Sequence, residues 1–321
     1  MVPNGEGGIQ SQRERQYQAT WHELPENAVY CSSPCISKIM KVSVIIPTYK
    51  PQSYLWECLD SLVLQTLPYE DWELLLVLNG CKEPWYTKIR NYMADKMTGM
   101  NVTLVQTDTP GVSNARNMAL DRACGEYVTF IDDDDFVSPD YLEEMLRVAA
   151  PHTVSLCYPY AFNDGMPHRQ LPYAITEAYE HCRLHGCGPL SSRVRKFYSG
   201  PWMKLIPMDI IRERRYDPRF SNGEDSLFMF LISDSIKENV MASRSAVYYR
   251  RYRENSAQTR GKAFSELFHI ATGKIREFSK IYFSSPSDYS FPFYLTRVLA
   301  SMKALTKDSR LNVRRYLGRK Q

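Results

Sequence analysis

The chain opens without any apolar period. Gly, Gln, Ser, Glu and Arg dominate the first positions, a composition that buries too little surface to order itself, so residues 1–39 read as a flexible N-terminal extension. At Val42 the pattern changes. Val42-Ser-Val-Ile-Ile46, Glu73-Leu-Leu-Leu-Val-Leu78, Asn101-Val-Thr-Leu-Val105 and Tyr127-Val-Thr-Phe-Ile131 are short apolar runs closed by turn or acidic residues. Such runs predict strands, most of them buried on both faces. Between them the apolar spacing lengthens to three and four. Leu55, Leu59, Leu62 and Val63 predict a helix over 54–65, with Ser53 as its cap. Further helices are predicted over 84–96, over 113–123 with Ser113 as cap and Gly125 as stop, and from Pro139 to about Val148.

Four strand–helix alternations predict an α/β chain built on a doubly wound, mostly parallel sheet. Ligands bind such sheets beyond the carboxyl ends of the strands. Thr48-Tyr49, Asn79-Gly80 and the run 132–135 all fall there, so three separate segments converge on one crevice. The pattern then loosens. Pro, His and Gly are frequent over 151–201, a helix is predicted from Gly223 to Ser233, and Val247-Tyr-Tyr-Arg250 predicts a strand. From about residue 262 the chain reads as helical.

Charge changes this picture at one end only. The formal net charge is +4, but Phe293 to Gln321 carries eight basic residues against Asp308 alone, a local +7. Leu295, Val298, Leu299, Met302, Leu305, Leu311, Val313 and Leu317 are interleaved with those charges at helical spacing. The tail therefore suits either an anionic membrane surface or docking on the body. No nucleic-acid recognition module accompanies it, and nucleic acid is not expected as a partner. No run approaches the ~18 apolar residues of a membrane span, and no secretory signal is visible, so a cytoplasmic protein with reduced thiols is expected. Met40, next to the first strong strand, is an alternative start. Cys58 and Cys124 are expected on helices as small core residues. His181, Cys182, His185 and Cys187 have ligand chemistry but no second cluster, and read as a plain loop rather than a zinc site.

Chemistry concentrates in three places. Asp132-Asp-Asp-Asp135 follows a buried strand, where four carboxylates repel one another unless a cation joins them. Oxygen ligands of this kind suit Mg2+ or Mn2+. Alternation lets Asp132 and Asp134 point one way and Asp133 the other; the bland alternative is a solvated acidic turn, with Asp135 capping the next helix. Gly111-Val-Ser113-Asn-Ala-Arg116 presents a helix amino end and a guanidinium, both suited to phosphate. Glu224-Asp225 sits at another helix start, where the dipole alone favours acids and where a general base must face the crevice to work.

Taken in order, Val42-Ser-Val-Ile-Ile-Pro-Thr-Tyr49, Gly111-Val-Ser-Asn-Ala-Arg-Asn117, Gly125-Glu-Tyr-Val-Thr-Phe-Ile-Asp-Asp-Asp-Asp135 and Pro139-Asp-Tyr-Leu-Glu143 resemble glycosyltransferase family 2. Trp202-Met-Lys-Leu205, Gly223-Glu-Asp225 and Tyr249-Arg-Arg-Tyr-Arg-Glu-Asn-Ser256 are similar to motifs of its bacterial members. The resemblance implies a GT-A fold, with a nucleotide-sugar-binding half over 40–150, an acceptor half over 151–260 and a helical, basic tail over 261–321. It implies inverting transfer of a sugar from a nucleotide-diphosphate donor to a glycan or lipid-linked acceptor. Asp132 and Asp134 would hold the metal, and Asp132 also the ribose. Asp225 would be the base, with Glu224 beside it as runner-up. Pro47, Thr48 and Tyr49 would border the nucleobase, and Asn79, standing where many relatives carry an acid, would pair with its edge. Ser113, Arg116, Arg250 and Arg253 would approach the donor phosphates, and Trp202 and Lys204 the acceptor.

Two rival classes remain. A nucleotidyltransferase uses a similar sheet, but Tyr49-Lys50-Pro51-Gln52 lacks the glycines expected after its first strand. A catalytically silent binding protein would keep the donor residues and need no base.

Overall fold

The computed structural model describes residues 29–31, 40–188, 190–191, 193–253 and 264–318. The N-terminal half alternates as the apolar pattern requires: β2 (Val42–Thr48), α1 (Tyr54–Val63), β3 (Trp72–Asn79), α2 (Trp85–Lys96), β4 (Asn101–Thr107), α3 (Val112–Leu120), β5 (Tyr127–Phe130), β6 (Phe136–Val137) and α4 (Tyr141–Arg147). Every residue of β2 is buried, as are seven of the eight in β3, so both faces of these strands lie in the core. A strand buried that way is specified by apolar content alone, which is why these runs were readable.

A short edge strand, β1 (Val29–Cys31), pairs antiparallel with β4. It falls inside 1–39, so the reading of that whole stretch as an extension does not hold for these three residues. The second half supplies β7 (Thr153–Leu156), β8 (Tyr158–Asn163), α5 (Ala174–His185), a 3-10 turn (Val194–Ser199), β9 (Lys204–Pro207), α6 (Met208–Ile211), α7 (Glu224–Leu231), β10 (Glu238–Met241) and β11 (Val247–Tyr252). The main sheet runs β1-β4-β3-β2-β5-β9-β7-β10. β9 enters antiparallel between β5 and β7, and the other internal pairs, β4 through β5 and β7 with β10, are parallel. A three-stranded sheet, β6-β11-β8, stands beside it.

The order reverses at β2, which has β3 on one side and β5 on the other. That is the switch point at which an open α/β sheet leaves a crevice. The crevice is bordered by the ends of β2, β3 and β5 and roofed by β11 and the start of α7. Two helices, α8 (Phe264–Ser284) and α9 (Phe291–Gly318), pack on each other as a hairpin. No helix among the described residues is long and apolar enough to cross a membrane. His181, Cys182 and His185 lie on the last turn of α5, not in the loop expected of them. Cys58 is buried on α1 as expected, whereas Cys124 is exposed beyond the end of α3.

Candidate active site

The crevice has a volume of about 940 Å³ and gathers Pro47, Thr48 and Tyr49, Asn79, Gly111, Arg116, residues 132–135, Trp202, Glu224, Asp225, Arg250 and Arg253. Of the residues singled out from sequence, only Ser113 and Lys204 do not line it.

The aspartate run is built as four differently partnered groups, not as an acidic turn. Asp132 accepts from Arg116 Nη2 at 3.1 Å, Asp133 from the Thr48 hydroxyl at 2.5 Å, and Asp134 pairs with Arg253 at 2.5 Å. Asp135 is fully buried. Its carboxylate accepts from the Tyr248 hydroxyl at 2.8 Å and the Arg251 backbone N–H at 2.8 Å, and it caps no helix. Ligand oxygens of Asp132, Asp134 and Asp135 lie within 4.8 Å of one another. Asp132 and Asp134, each also paired with an arginine, are less buried than Asp135 and offer hard oxygen donors of the kind that suits a divalent cation. Burial drives the Asp133 carboxyl up to about 7, against the lowering effect of Thr48, and the Asp134 carboxyl upward as well. Crowding buried carboxylates this way is costly without a cation.

Gly111, at φ +130°, begins α3; Ser113 is not the cap. Ser113 is buried inside the first turn with its hydroxyl unpartnered, so a direct donor contact from Ser113 is not what the structure provides. Arg116 lines the crevice. Its guanidinium, only 3% exposed, is buried between Asp132 and Asp225, reaching Asp225 Oδ1 at 2.5 Å. It is a link between carboxylates, not a free phosphate fork. Asn79 is similarly occupied: its Nδ2 donates to the Thr48 carbonyl at 2.8 Å and its Oδ1 accepts from the Gly111 N–H at 3.0 Å. The amide ties two loops of the crevice together, where the sequence suggested a contact with a nucleobase.

Asp225 is the second residue of α7, whose N-cap Gly223 takes the left-handed conformation at φ +85°. Burial raises its carboxyl to about 7, while Arg116 pulls in the opposite direction. Glu224, beside it, is buried with Oε2 unpartnered. Lys204 lies beneath the crevice. Its ammonium is fully buried, donates to the carbonyls of Phe197 at 2.6 Å and Trp202 at 2.8 Å, and is pushed down to about 7 by burial. It supports the loop carrying Trp202 and does not line the crevice. Sequence reasoning missed Thr48 with Asp133, Tyr248 with Asp135, and Arg251, which joins Asp164, Glu57 and the Asp134 carbonyl. These partners stand tens of residues apart, and only the closing motif around Arg251 hinted at them.

Fold and site define an α/β protein with a crevice at the switch point of its sheet and carboxylates at the tip of β5. The family model described as glycosyl transferase family 2 matches residues 43–204, and the chain belongs to that family. Glycosyltransferase GlyA of Streptococcus pneumoniae is 30% identical over 228 residues, which cover 67% of this chain and 31% of GlyA. The poly(ribitol-phosphate) beta-N-acetylglucosaminyltransferase TarS of Staphylococcus aureus is 34% identical over 244 residues, 74% of this chain and 41% of TarS. The chain thus spans less than half the length of these relatives. Among solved structures, TarS 1–349 in complex with UDP aligns with a TM-score of 0.60 at 21% identity, over 82% of this chain and 71% of that one. A mannosyltransferase from Pyrobaculum calidifontis in complex with GDP-Man and Mn2+ aligns with a TM-score of 0.51 at 16% identity, over 88% and 81%. The GT-A fold expected from the resemblance is the fold observed.

Proposed function

We propose that the enzyme transfers a sugar, with inversion, from a uridine diphosphate donor to a hydroxyl of a glycan or lipid-linked acceptor, with Asp225 as general base. The supporting observation is the single buried guanidinium of Arg116 touching both Asp132 and Asp225. It sets the donor-side carboxylate and the base one side chain apart, the separation needed to hold a donor beside an attacking hydroxyl. The uridine assignment rests on the UDP-bound relative of like fold.

Asp225 accepts the proton of the acceptor hydroxyl as that oxygen attacks the anomeric carbon. The bond from that carbon to the diphosphate oxygen breaks, and the nucleoside diphosphate leaves. One displacement inverts the anomeric centre without a covalent enzyme intermediate. Asp132 and Asp134 would hold Mg2+ or Mn2+, which supplies Lewis-acid stabilisation of the leaving diphosphate. Pro47, Thr48 and Tyr49 border the base, and Arg253, beside Asp134, lies on the phosphate side. Trp202, buried beneath Arg250, braces the acceptor side.

The test is release of nucleoside diphosphate from a panel of UDP-sugars with Mn2+. Asp225→Asn is expected to lower turnover by at least about a hundredfold while leaving UDP affinity within a few-fold. Pyrophosphate as the product would move the protein to the nucleotidyltransferases. Unchanged turnover in Asp225→Asn, with loss in Glu224→Gln, would move the base to Glu224.

The second reading concerns location. α9 docks through Phe293, Arg297 and Ser301 and turns Phe291, Leu295, Leu299 and Met302 outward. With the basic residues of the tail, that stripe supports peripheral attachment to an anionic membrane.

A further inference from the structure

Four guanidinium groups line the crevice, and three meet carboxylates of the protein itself: Arg116 with Asp132 and Asp225, Arg251 with Glu57 and Asp164, Arg253 with Asp134. Arg250 is different. Among the described residues it has no ion-pair partner, and its one hydrogen bond is from Nη1 to the Tyr173 hydroxyl at 2.7 Å. Its guanidinium is caged by rings, 4.4 Å from the centroid of Trp202, 5.4 Å from Tyr252 and 5.7 Å from Tyr173, and the buried Asp135 carboxylate acts on it only from beyond ion-pair distance. Desolvating an ion costs several kcal/mol, on the order of what a strong counter-ion returns. Cation–π contacts give back about 0.5–2 kcal/mol each. A cation held in this way, at the wall of a crevice, is poised for an anion that arrives with a ligand.

Placement points to which ligand. Successive side chains of β11 alternate. Arg251 and Arg253 take the side of the aspartate run, reaching the Asp134 carbonyl and carboxylate, and Arg250 takes the other, toward Trp202. Trp202 is itself fixed. A Cβ on Gly200 would stand 2.4 Å from the indole, so only glycine there lets the ring lie where it does. Lys204 holds the Trp202 carbonyl from beneath. The product is a rigid apolar plate with a cation stacked on it.

We infer that Arg250 forms an acceptor subsite for a polyol or sugar bearing a phosphate group, the guanidinium holding the phosphate and the buried Trp202 ring fixing the guanidinium in place. The inference rests on the transferase reading above, because only a transferase has an acceptor. Phosphate can reach Arg250 from two sources, the donor diphosphate or the acceptor, and the experiment separates them.

Calorimetry would compare wild type, Arg250→Gln and Arg250→Lys, each checked for a native melting transition. One arm titrates UDP with Mn2+; the other titrates ribitol 5-phosphate, with ribitol as the uncharged control, with and without UDP. The expected result is UDP affinity within about twofold in all three proteins. Wild type should prefer ribitol 5-phosphate over ribitol by at least tenfold, Arg250→Gln should lose that preference and Arg250→Lys keep part of it. A tenfold loss of UDP affinity in Arg250→Gln with the phosphate preference intact would assign Arg250 to the donor and overturn the inference. Equal binding of ribitol and its phosphate by wild type would overturn it as well. Failure of wild type to bind UDP would instead sink the transferase reading, and the titrations without UDP would still report on Arg250.

Discussion

Arg116 and Asp225 show how one side chain sets the chemistry of another. Asp225 is 22% exposed and Arg116 3%, so their pair works in a medium where a charge acts strongly. Burial raises the Asp225 carboxyl to about 7, and Arg116 opposes the rise. A base acts only when deprotonated, so the sign is fixed: turnover should fall as pH drops through about 7, approaching tenfold per unit below it. Removing the guanidinium removes the lowering influence. In Arg116→Gln the acid limb of the kcat/KM profile should therefore move to higher pH, with Asp132 also losing a partner. A limb that stays in place would detach Arg116 from the base. The ion pairs of Arg116 were not legible in the sequence. An arginine after a helix amino end is suited to phosphate, and nothing in the local pattern reveals two carboxylates arriving from Asp132 and from Asp225, 109 positions on.

The element that shapes the acceptor side is the segment from the 3-10 turn at Val194–Ser199 into β9. Lys204 clamps it by donating to two carbonyls, one at each end of the bend. Lys204→Met keeps the volume but leaves those acceptors bare, a loss of roughly 1–3 kcal/mol each, partly offset by removing a buried charge. Thermal melts should show a net loss of about 2 kcal/mol, and the acceptor KM should rise several-fold while UDP affinity holds. The buried ammonium is pushed down to about 7, below its unfolded value, so the unfolded chain binds the extra proton above that pH. Wild type should then gain stability relative to Lys204→Met as pH rises from 7 toward 9, and a parallel response of the two proteins would refute this account. The elements of the first half were legible because β2 through β5 are apolar runs separated by amphipathic helices, and each run carries its own signal. β9 was not legible. Lys204-Leu-Ile-Pro207 is four residues long and starts on a lysine, and it is a strand only because β5 and β7 leave a gap that it fills antiparallel. β1 was hidden likewise: three residues in a polar stretch become strand by pairing with β4. The aspartate run was legible as a ligand cluster, whereas the division of labour within it depends on Thr48, Tyr248 and Arg253 arriving from elsewhere.

At the scale of the whole molecule, the C-terminal tail and the rest of the chain carry opposite charge. The tail from Phe293 bears +7, and the remainder bears −3. α9 uses one face to dock: Phe293 is fully buried, and Arg297 donates to the Arg195 carbonyl at 2.8 Å. On the far face Phe291, Leu295, Leu299 and Met302 are 41–54% exposed, and Phe283, at the end of α8, is 67% exposed. An exposed apolar stripe of this kind marks a surface that meets something. A second copy would bring +7 against +7, whereas anionic lipid headgroups accept both the charges and the stripe. Flotation with vesicles of phosphatidylglycerol and phosphatidylcholine should therefore recover the enzyme, and pure phosphatidylcholine should not. Raising salt to 0.5 M should release it, since attraction by surface charges is screened within a few ångströms there. Leu299→Ser with Met302→Ser should weaken vesicle binding at least fivefold while leaving UDP affinity unchanged, because the stripe lies outside the crevice. Binding that persists in this double variant would assign the attachment to charge alone. A concentration-dependent dimer that the same two substitutions abolish, with no vesicle binding, would assign the face to a second copy.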